Sequence, residues 1–354
     1  MKRICYIVLA LLGATMCARQ EIPGQEHCGR KVTIHAVAAE GTKALDENAV
    51  QSVAVWLFDN LNAYRNGMAA KWFCYSSGTS LTAEYDSEQN VAVVVANLPE
   101  YLIDVDNPMS AANLSFDIRN TALTLDVMTD ALVMSGLSEL SDVDDLGEAM
   151  VIVSRRVSKI TVEKVTNRIE ETAWASKPLT LRSAYVINGV GRIPIRPDDS
   201  AFTPTVGDFF SCSCMYSPAV GPVPDFGQME APGCAFASVD RAVPLGGSIS
   251  TDVTLYTGQN RIGSMLSTSL SDLMGATSWS VRRSKLVLEC SLGGYTCYYP
   301  VSLPALRTNS RYRIREIVTK HYGSDSPDSP VSFADILVDG EIVSWDGGYI
   351  NETI

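Results

Sequence analysis

Ser52-Val-Ala-Val-Trp-Leu-Phe58 and Val91-Ala-Val-Val-Val-Ala96 decide the fold of this chain. Both are short runs of β-branched, aromatic and small apolar residues, with no polar position between their ends. A strand that is apolar on both faces belongs in the middle of a packed β structure, covered above and below, and not at its rim. Asp59-Asn60 and Asn62 close the first run with turn chemistry. Upstream, Val32, Ile34, Ala36 and Ala38 alternate with Thr33, His35 and Val37, the period of a half-buried strand, before a polar connector over residues 39–48.

Downstream, Val151-Ile-Val-Ser-Arg-Arg-Val-Ser-Lys-Ile-Thr-Val162 restarts the alternation, with Ile160 and Val162 inward and Lys159, Thr161 and Glu163 outward. A domain boundary is expected near Ser154, giving an N-terminal domain over 44–153 and a C-terminal domain over 154–354. Residues 179–188, 253–257, 285–290, 295–303 and 311–319 read as further strands. In the last of these, Arg311, Arg313 and Arg315 face one way and Tyr312 and Ile314 the other, until Glu316-Ile317 slips the parity. A β-bulge there restores it. Over 333–344, Ala334, Ile336, Val338 and Ile342 share one parity, while Asp335, Asp339 and Glu341 take the other.

Helix is scarce in this pattern. One short helix is expected near 267–274, and residues 107–136 fit a helix with loops as well as strands. The Pro-, Gly-, Ser- and Asp-rich stretch 194–247 reads as long surface loops. The sum is an all-β protein of two sandwich domains.

The chain begins with Lys2-Arg3, an apolar run from Ile7 to Leu12, and Gly13-Ala14-Thr15-Met16 before Cys17. A basic start, a short apolar core and small residues make a secretory signal, too short to span as a mature helix. Cys17 stands where a lipoprotein signal places its acylated cysteine. The alternative is ordinary cleavage nearby and a soluble product. At the other end, beyond Gly347-Gly348, Tyr349, Ile350 and Ile354 offer either an extended peptide that another sheet accepts or a frayed last strand.

The formal charge of −12, from 40 acidic against 28 basic residues, argues against nucleic acid or an anionic membrane surface as partner. Of nine cysteines, Cys5 and Cys17 belong to the signal and Cys28 precedes the first strand. Cys74, Cys212, Cys214, Cys234, Cys290 and Cys297 remain. A two-residue Gly293-Gly294 turn sets Cys290 opposite Cys297, in a hydrogen-bonded pair with the wider Cα spacing, which leaves a bridge between them open.

Enzymatic signatures are missing. The only histidines are His27, His35 and His321, with no HExxH pattern and no pair at ligand spacing. Cys212-Ser-Cys214 has no nearby histidine. Gly189-Val-Gly191 lacks the third glycine and the helix of a dinucleotide fingerprint. No G-x-S-x-G elbow occurs, and Asp142-Val-Asp-Asp145 lacks an EF-hand's spacing. The expectation is a binding or structural protein without enzymatic activity, metal or cofactor.

Four stretches together make the chain resemble the type V pilin, or fimbrillin, family of the Bacteroidia. They are the lipoprotein-like start ending at Cys17, the first strand and connector running into Ser52–Asp59, the Ser154-Arg-Arg-Val-Ser-Lys-Ile-Thr-Val162 strand, and the ending. That ending holds Asn309-Ser-Arg-Tyr-Arg-Ile314, Gly323-Ser-Asp-Ser-Pro-Asp-Ser-Pro330 and the Val343-Ser-Trp345 close.

The resemblance implies two tandem transthyretin-like β-sandwich domains, a lipoprotein signal over 1–17, and a propeptide over 18–43 that includes the first strand. It implies a lipid anchor in the outer membrane, proteolytic processing between Lys43 and Ala44, and a surface fimbrium built from copies of this chain or related pilin subunits. In the family, removal of the first strand opens a groove that the C-terminal strand of another subunit fills; here Tyr349, Ile350 and Ile354 would be the donor residues. The implied partners are other subunits, the processing protease, the membrane, and host or bacterial surface ligands. An anchor subunit that keeps its first strand is the runner-up reading. A surface glycan-binding or glycan-degrading lipoprotein competes from another class, and aromatic side chains clustered on an exposed concave face beside two carboxylates would mark it.

Anchoring is expected to depend on Cys17, because an acylated cysteine attaches a chain stably whereas a net acidic body does not. Cys17→Ser should release the precursor from the membrane fraction, and equal fatty-acid labelling of wild type and variant would exclude the site.

Overall fold

The computed structural model describes residues 30–38, 47, 49–85, 90–99, 102, 122–125, 131–140, 147–197, 208–210, 216–217, 221–222, 233–261, 283–327, 329, 331, 335–344 and 349–353. Cys17, Lys43, Ala44, Ile354, the Cys212-Ser-Cys214 stretch, the acidic run at 142–145 and the expected helix at 267–274 lie outside the described residues.

In the N-terminal unit the strands are β1 (Arg30–Ala38), β2 (Val53–Phe58), β3 (Trp72–Ser76), β4 (Ser80–Tyr85), β5 (Val91–Ala96), β6 (Ala122–Thr124), β7 (Met134–Glu139) and β8 (Glu148–Arg155), with a short helix α1 (Leu61–Arg65). Among the described residues seven of these strands form one sheet in the order β3-β2-β5-β7-β8-β1-β4. Its weak seam is β7–β8, paired only at Met134 with Arg155 and Ser135 with Ser154. There the sheet folds over itself and brings its two halves face to face. Val53, Val55 and Leu57 of β2 and Ala92 and Val94 of β5 thus share one core with Val32 and Ile34 of β1, Leu81 of β4 and Val151 of β8.

The seam explains a glycine. A Cβ at Gly136 would come within 2.1 Å of the Ile152 carbonyl oxygen, so any side chain there pushes β7 off β8. The opposite faces of β2 and β5 carry Ala54, Trp56, Phe58, Val91, Val93 and Val95 into a second, larger cluster that continues through the C-terminal unit. Both strands are buried at every position, as their doubly apolar sequences require. Asn60 does not simply close β2: its Oδ1 accepts from the Ala63 amide at 2.9 Å and starts the one-turn helix α1. From that turn Tyr64 sets its ring edge-on to Phe58, centroids 5.3 Å apart.

The C-terminal unit holds β9 (Ser158–Asn167), β10 (Leu179–Ile187), β11 (Gly189–Val190), β12 (Arg192–Pro194), β13 (Phe209–Phe210), β14 (Tyr216–Ser217), β15 (Gly221–Pro222) and β16 (Phe236–Val243). After them come β17 (Ser248–Thr257), β18 (Lys285–Leu292), β19 (Tyr295–Ser302), β20 (Ser310–Thr319), β21 (Ile336–Ser344) and β22 (Tyr349–Thr353). Two sheets, β16-β10-β18-β19 and β17-β9-β20-β21-β22, make its sandwich. Ile160, Val162, Tyr312, Ile314 and Ile342 from one meet Leu181, Val186, Leu288 and Tyr299 from the other. The expected bulge is present, as a register shift between Ile314 and Glu316 of β20.

The stretch 151–162 is not one strand. It breaks at Arg156-Val157, where β8 ends in the first sheet and β9 begins in the next unit. The region 194–247 is not all loop either, since β16 runs for eight residues along the edge of a sheet. Gly293 and Gly294 both take positive φ, 60° and 94°, and the hairpin they close sets Cys290 opposite Cys297. Both are fully buried free thiols. Burial pushes the Cys297 thiol up to about 11, so neither is an activated nucleophile.

Gly136→Ala is expected to destabilise the fold by about 3 kcal/mol, as over-packing against backbone does. A shift of the denaturant midpoint at unchanged m-value is the measurement, and an unshifted midpoint would show that the seam tolerates a side chain.

Candidate functional site

The first strand occupies the most consequential position in the molecule. β1 is an interior strand, antiparallel to β4 from Arg30 opposite Tyr85 to His35 opposite Ser80, and parallel to β8 from Thr33 opposite Glu148 to Ala38 opposite Val153. Loop residues extend its ladder: the Thr33 amide donates to Gly147 O at 2.8 Å and the Ala36 amide to Thr79 O at 3.0 Å. Its alternation is as the sequence dictates, with Val32, Ile34 and Ala36 buried and Lys31 and Val37 exposed. The two strands beside it contribute Leu81 and Ala83 on one side and Ala149, Val151 and Val153 on the other to the same core.

Without β1, that surface is a slot walled by β4 and β8, apolar at its floor, with main-chain donors and acceptors on both rims. Such a slot accepts one thing chemically, an extended peptide with alternate apolar residues. The alternation of β1 marks the occupant in the sequence, but half of the receptor carries no such signal: the polar residues of β4 (SLTAEY) and the preceding Gly78 look like a loop.

The predicted donor segment lies elsewhere. β22 pairs antiparallel with β21 at the edge of the C-terminal sheet, through Val343 with Tyr349 and Glu341 with Thr353, with a register break between. Tyr349 and Ile350 are therefore on an edge strand of their own chain, and the structure does not bring them to the slot.

The connector returns from β1 to β2 through Glu47, which is tied down firmly. Its carboxylate receives the Lys159 ammonium at 2.6 Å and the Tyr256 hydroxyl at 2.5 Å, and its carbonyl accepts from Arg155 Nε at 3.4 Å. The side chains of Lys159 and Glu47 are only 7% and 14% exposed. Burial, followed by the bond to Glu47, pushes the Tyr256 hydroxyl far above the ordinary phenol range.

An aromatic trio stands in the C-terminal unit. Trp174 stacks on Tyr322 with centroids 4.7 Å apart and meets Tyr295 edge-on at 5.8 Å. Glu171 and Asp325 flank it, but Glu171 accepts from the Tyr322 amide at 3.3 Å and Asp325 from the Tyr322 hydroxyl at 3.0 Å. The rings pack on one another and the carboxylates serve the loop that carries them. Among the described residues no group of three or more His, Cys, Asp or Glu side chains gathers as a metal site.

Several sheets forming two β units, as in this chain, are also what fimbrilin structures show. No protein-family profile matches the sequence, and no curated protein matches it. Solved structures do. A candidate cell adhesion protein of Bacteroides eggerthii superposes with a TM-score of 0.59 at 17% identity, over 91% of this chain and 98% of that one. The fimbrilin of Porphyromonas gingivalis W83 matches with a TM-score of 0.54 at 12% identity, over 91% and 99%. A candidate cell adhesion protein of Parabacteroides distasonis gives 0.52 at 14%, over 90% and 100%. The likeness covers both units and establishes the fold.

Ile34→Ala is expected to lower stability by about 2–4 kcal/mol through the cavity it leaves in the slot, whereas Val37→Ala on the exposed face should stay within about 0.5 kcal/mol. Urea unfolding of the two variants checks this, and equal effects would mean that β1 is not seated by its inward side chains.

Proposed function

We propose that this protein is a structural subunit of a surface fimbria, held at the outer membrane through Cys17 during maturation and polymerised by strand exchange. The observation that supports the reading most is the setting of β1, an N-terminal strand bonded on both sides and backed by an apolar core. Its loss creates a receptor that only another strand satisfies. The fold shared with a fimbrilin and with candidate cell adhesion proteins supports it as well. Fimbrilins do structural rather than chemical work, and this chain is assigned no enzymatic role.

In this reading a trypsin-like protease cuts after Lys43, leaving Ala44 as the new N-terminus and freeing the segment with β1. The donor is the tail of the next subunit. β1 is nine residues long, and residues 346–354 are also nine. Ile350 and Ile354 share one parity, four apart as Val32 and Ala36 are, so these two enter the slot and Tyr349 takes the other face. Burial of each isoleucine contributes about 1.5–3 kcal/mol. Glu352 falls between them, and a charge on the inward parity is unfavourable.

Deleting residues 346–354 is expected to leave a folded monomer that does not assemble. Filaments or ladders formed equally by the truncated chain would remove the donor assignment. Glu352→Val should strengthen assembly. N-terminal sequencing of assembled protein separates subunit roles: a start at Ala44 supports a stalk position, and a start at Cys17 with β1 retained supports an anchor.

A further inference from the structure

We infer that Glu47 is a positioning residue that holds the chain behind the first strand in place independently of that strand, so that β1 can leave its slot without loosening the junction of the two units. The inference rests on the strand-exchange reading for its purpose and on the following geometry for its substance. Three groups hold Glu47: Arg155 at the end of β8, Lys159 on β9 and Tyr256 on β17. None belongs to β1.

The receptor for the carboxylate is built into the C-terminal sheet. Lys159 and Tyr256 are register partners on adjacent antiparallel strands, so both side chains project from the same face and converge on one oxygen of Glu47. Arg311 is the register partner of Lys159 on its other side, and Arg155, wholly buried, bonds Asn309 Oδ1 at 3.1 Å as well as the Glu47 carbonyl. These cationic side chains favour a carboxylate where Glu47 sits, and charge-assisted bonds in so sheltered a place are stronger than neutral ones.

Residues just after Glu47 are fixed by a different group that is also outside β1. Asn97, at the end of β5 and in the left-handed region with φ 59°, donates from Nδ2 to Ala49 O at 2.8 Å and accepts from the Gln51 amide on Oδ1 at 2.8 Å. Its own amide donates to Ser52 O at 3.0 Å. Glu47 and residues 49–52 are thus moored to β5, β8, β9 and β17. The mooring begins where β1 has ended, since Ala38, the last residue of β1, pairs with Val153 only two residues before Arg155. A strand lost from the slot leaves the post standing, and an incoming strand finds the Arg155 end of the slot already ordered.

Native-state hydrogen exchange on the full chain tests this without relying on assembly. In low denaturant, amides of β1 and amides at 49–52 are expected to follow separate isotherms, two opening units and not one. Glu47→Gln, close in size but uncharged, should speed exchange at 49–52 by ~10-fold or more while β1 amides keep their wild-type protection. Lys159→Met should reproduce that pattern. A single shared isotherm, loss of protection in β1 and 49–52 together, or no change at 49–52 in either variant would each overturn the inference. The donor-strand reading stands or falls separately, on the tail deletion.

Discussion

Everything distinctive about this molecule depends on how one strand is held. β1 sits between β4 and β8 with hydrogen bonds on both sides and three inward side chains in the core. Its ladder runs on both sides at once only over Thr33–His35. Its partners are themselves tied to the rest of the sheet or core by other contacts, and β1 reaches them only by long-range pairing, Ala36 with Val151 for instance. Take it away and β8 is left with a raw edge, β4 loses its strand partner among the described residues, and the core beneath lies open as an apolar trench, the combination that natural β proteins otherwise avoid.

A trench of this kind keeps its shape only if the remainder stays rigid, and the doubly buried strands supply that rigidity. One face of β2 and β5 closes the core that β1 shares; the other face lies in the cluster that runs on into the second unit. Arg156, whose Nε donates to Pro194 O at 3.1 Å, and β6, paired antiparallel with β12, knit the junction on that side. On the other, Glu47 ties the connector to β9 and β17. The two sandwiches are joined by packing and by buried polar bonds, not by a bare linker.

Much of this was legible in the sequence, for a physical reason in each case. β1 announced itself by strict alternation, β2 and β5 by being apolar on both faces, and the β20 bulge by a parity slip at Glu316-Ile317. What failed to show was whatever carries no periodicity. β16, on a sheet edge, is mostly exposed along its length, so no apolar face marks it. β4 follows a Ser- and Gly-rich turn and mimics a loop. The helix α1 is a single capped turn. Glu47 reads as one more polar residue in a connector, because its partners Lys159 and Tyr256 are 112 and 209 positions away, and no local pattern reveals so distant a pairing. The slot likewise emerged only when the topology set β4 and β8 on either side of β1.

The central claim is that the place of β1 is where subunits meet. Electron cryo-microscopy of filaments assembled from this chain, at a resolution that identifies side chains, tests it most directly. The account predicts that the strand between β4 and β8 is the tail of the neighbouring subunit, with Ile350 and Ile354 over the floor that Val32 and Ala36 now cover. A filament in which each subunit keeps its own Arg30–Ala38 in the slot would contradict it.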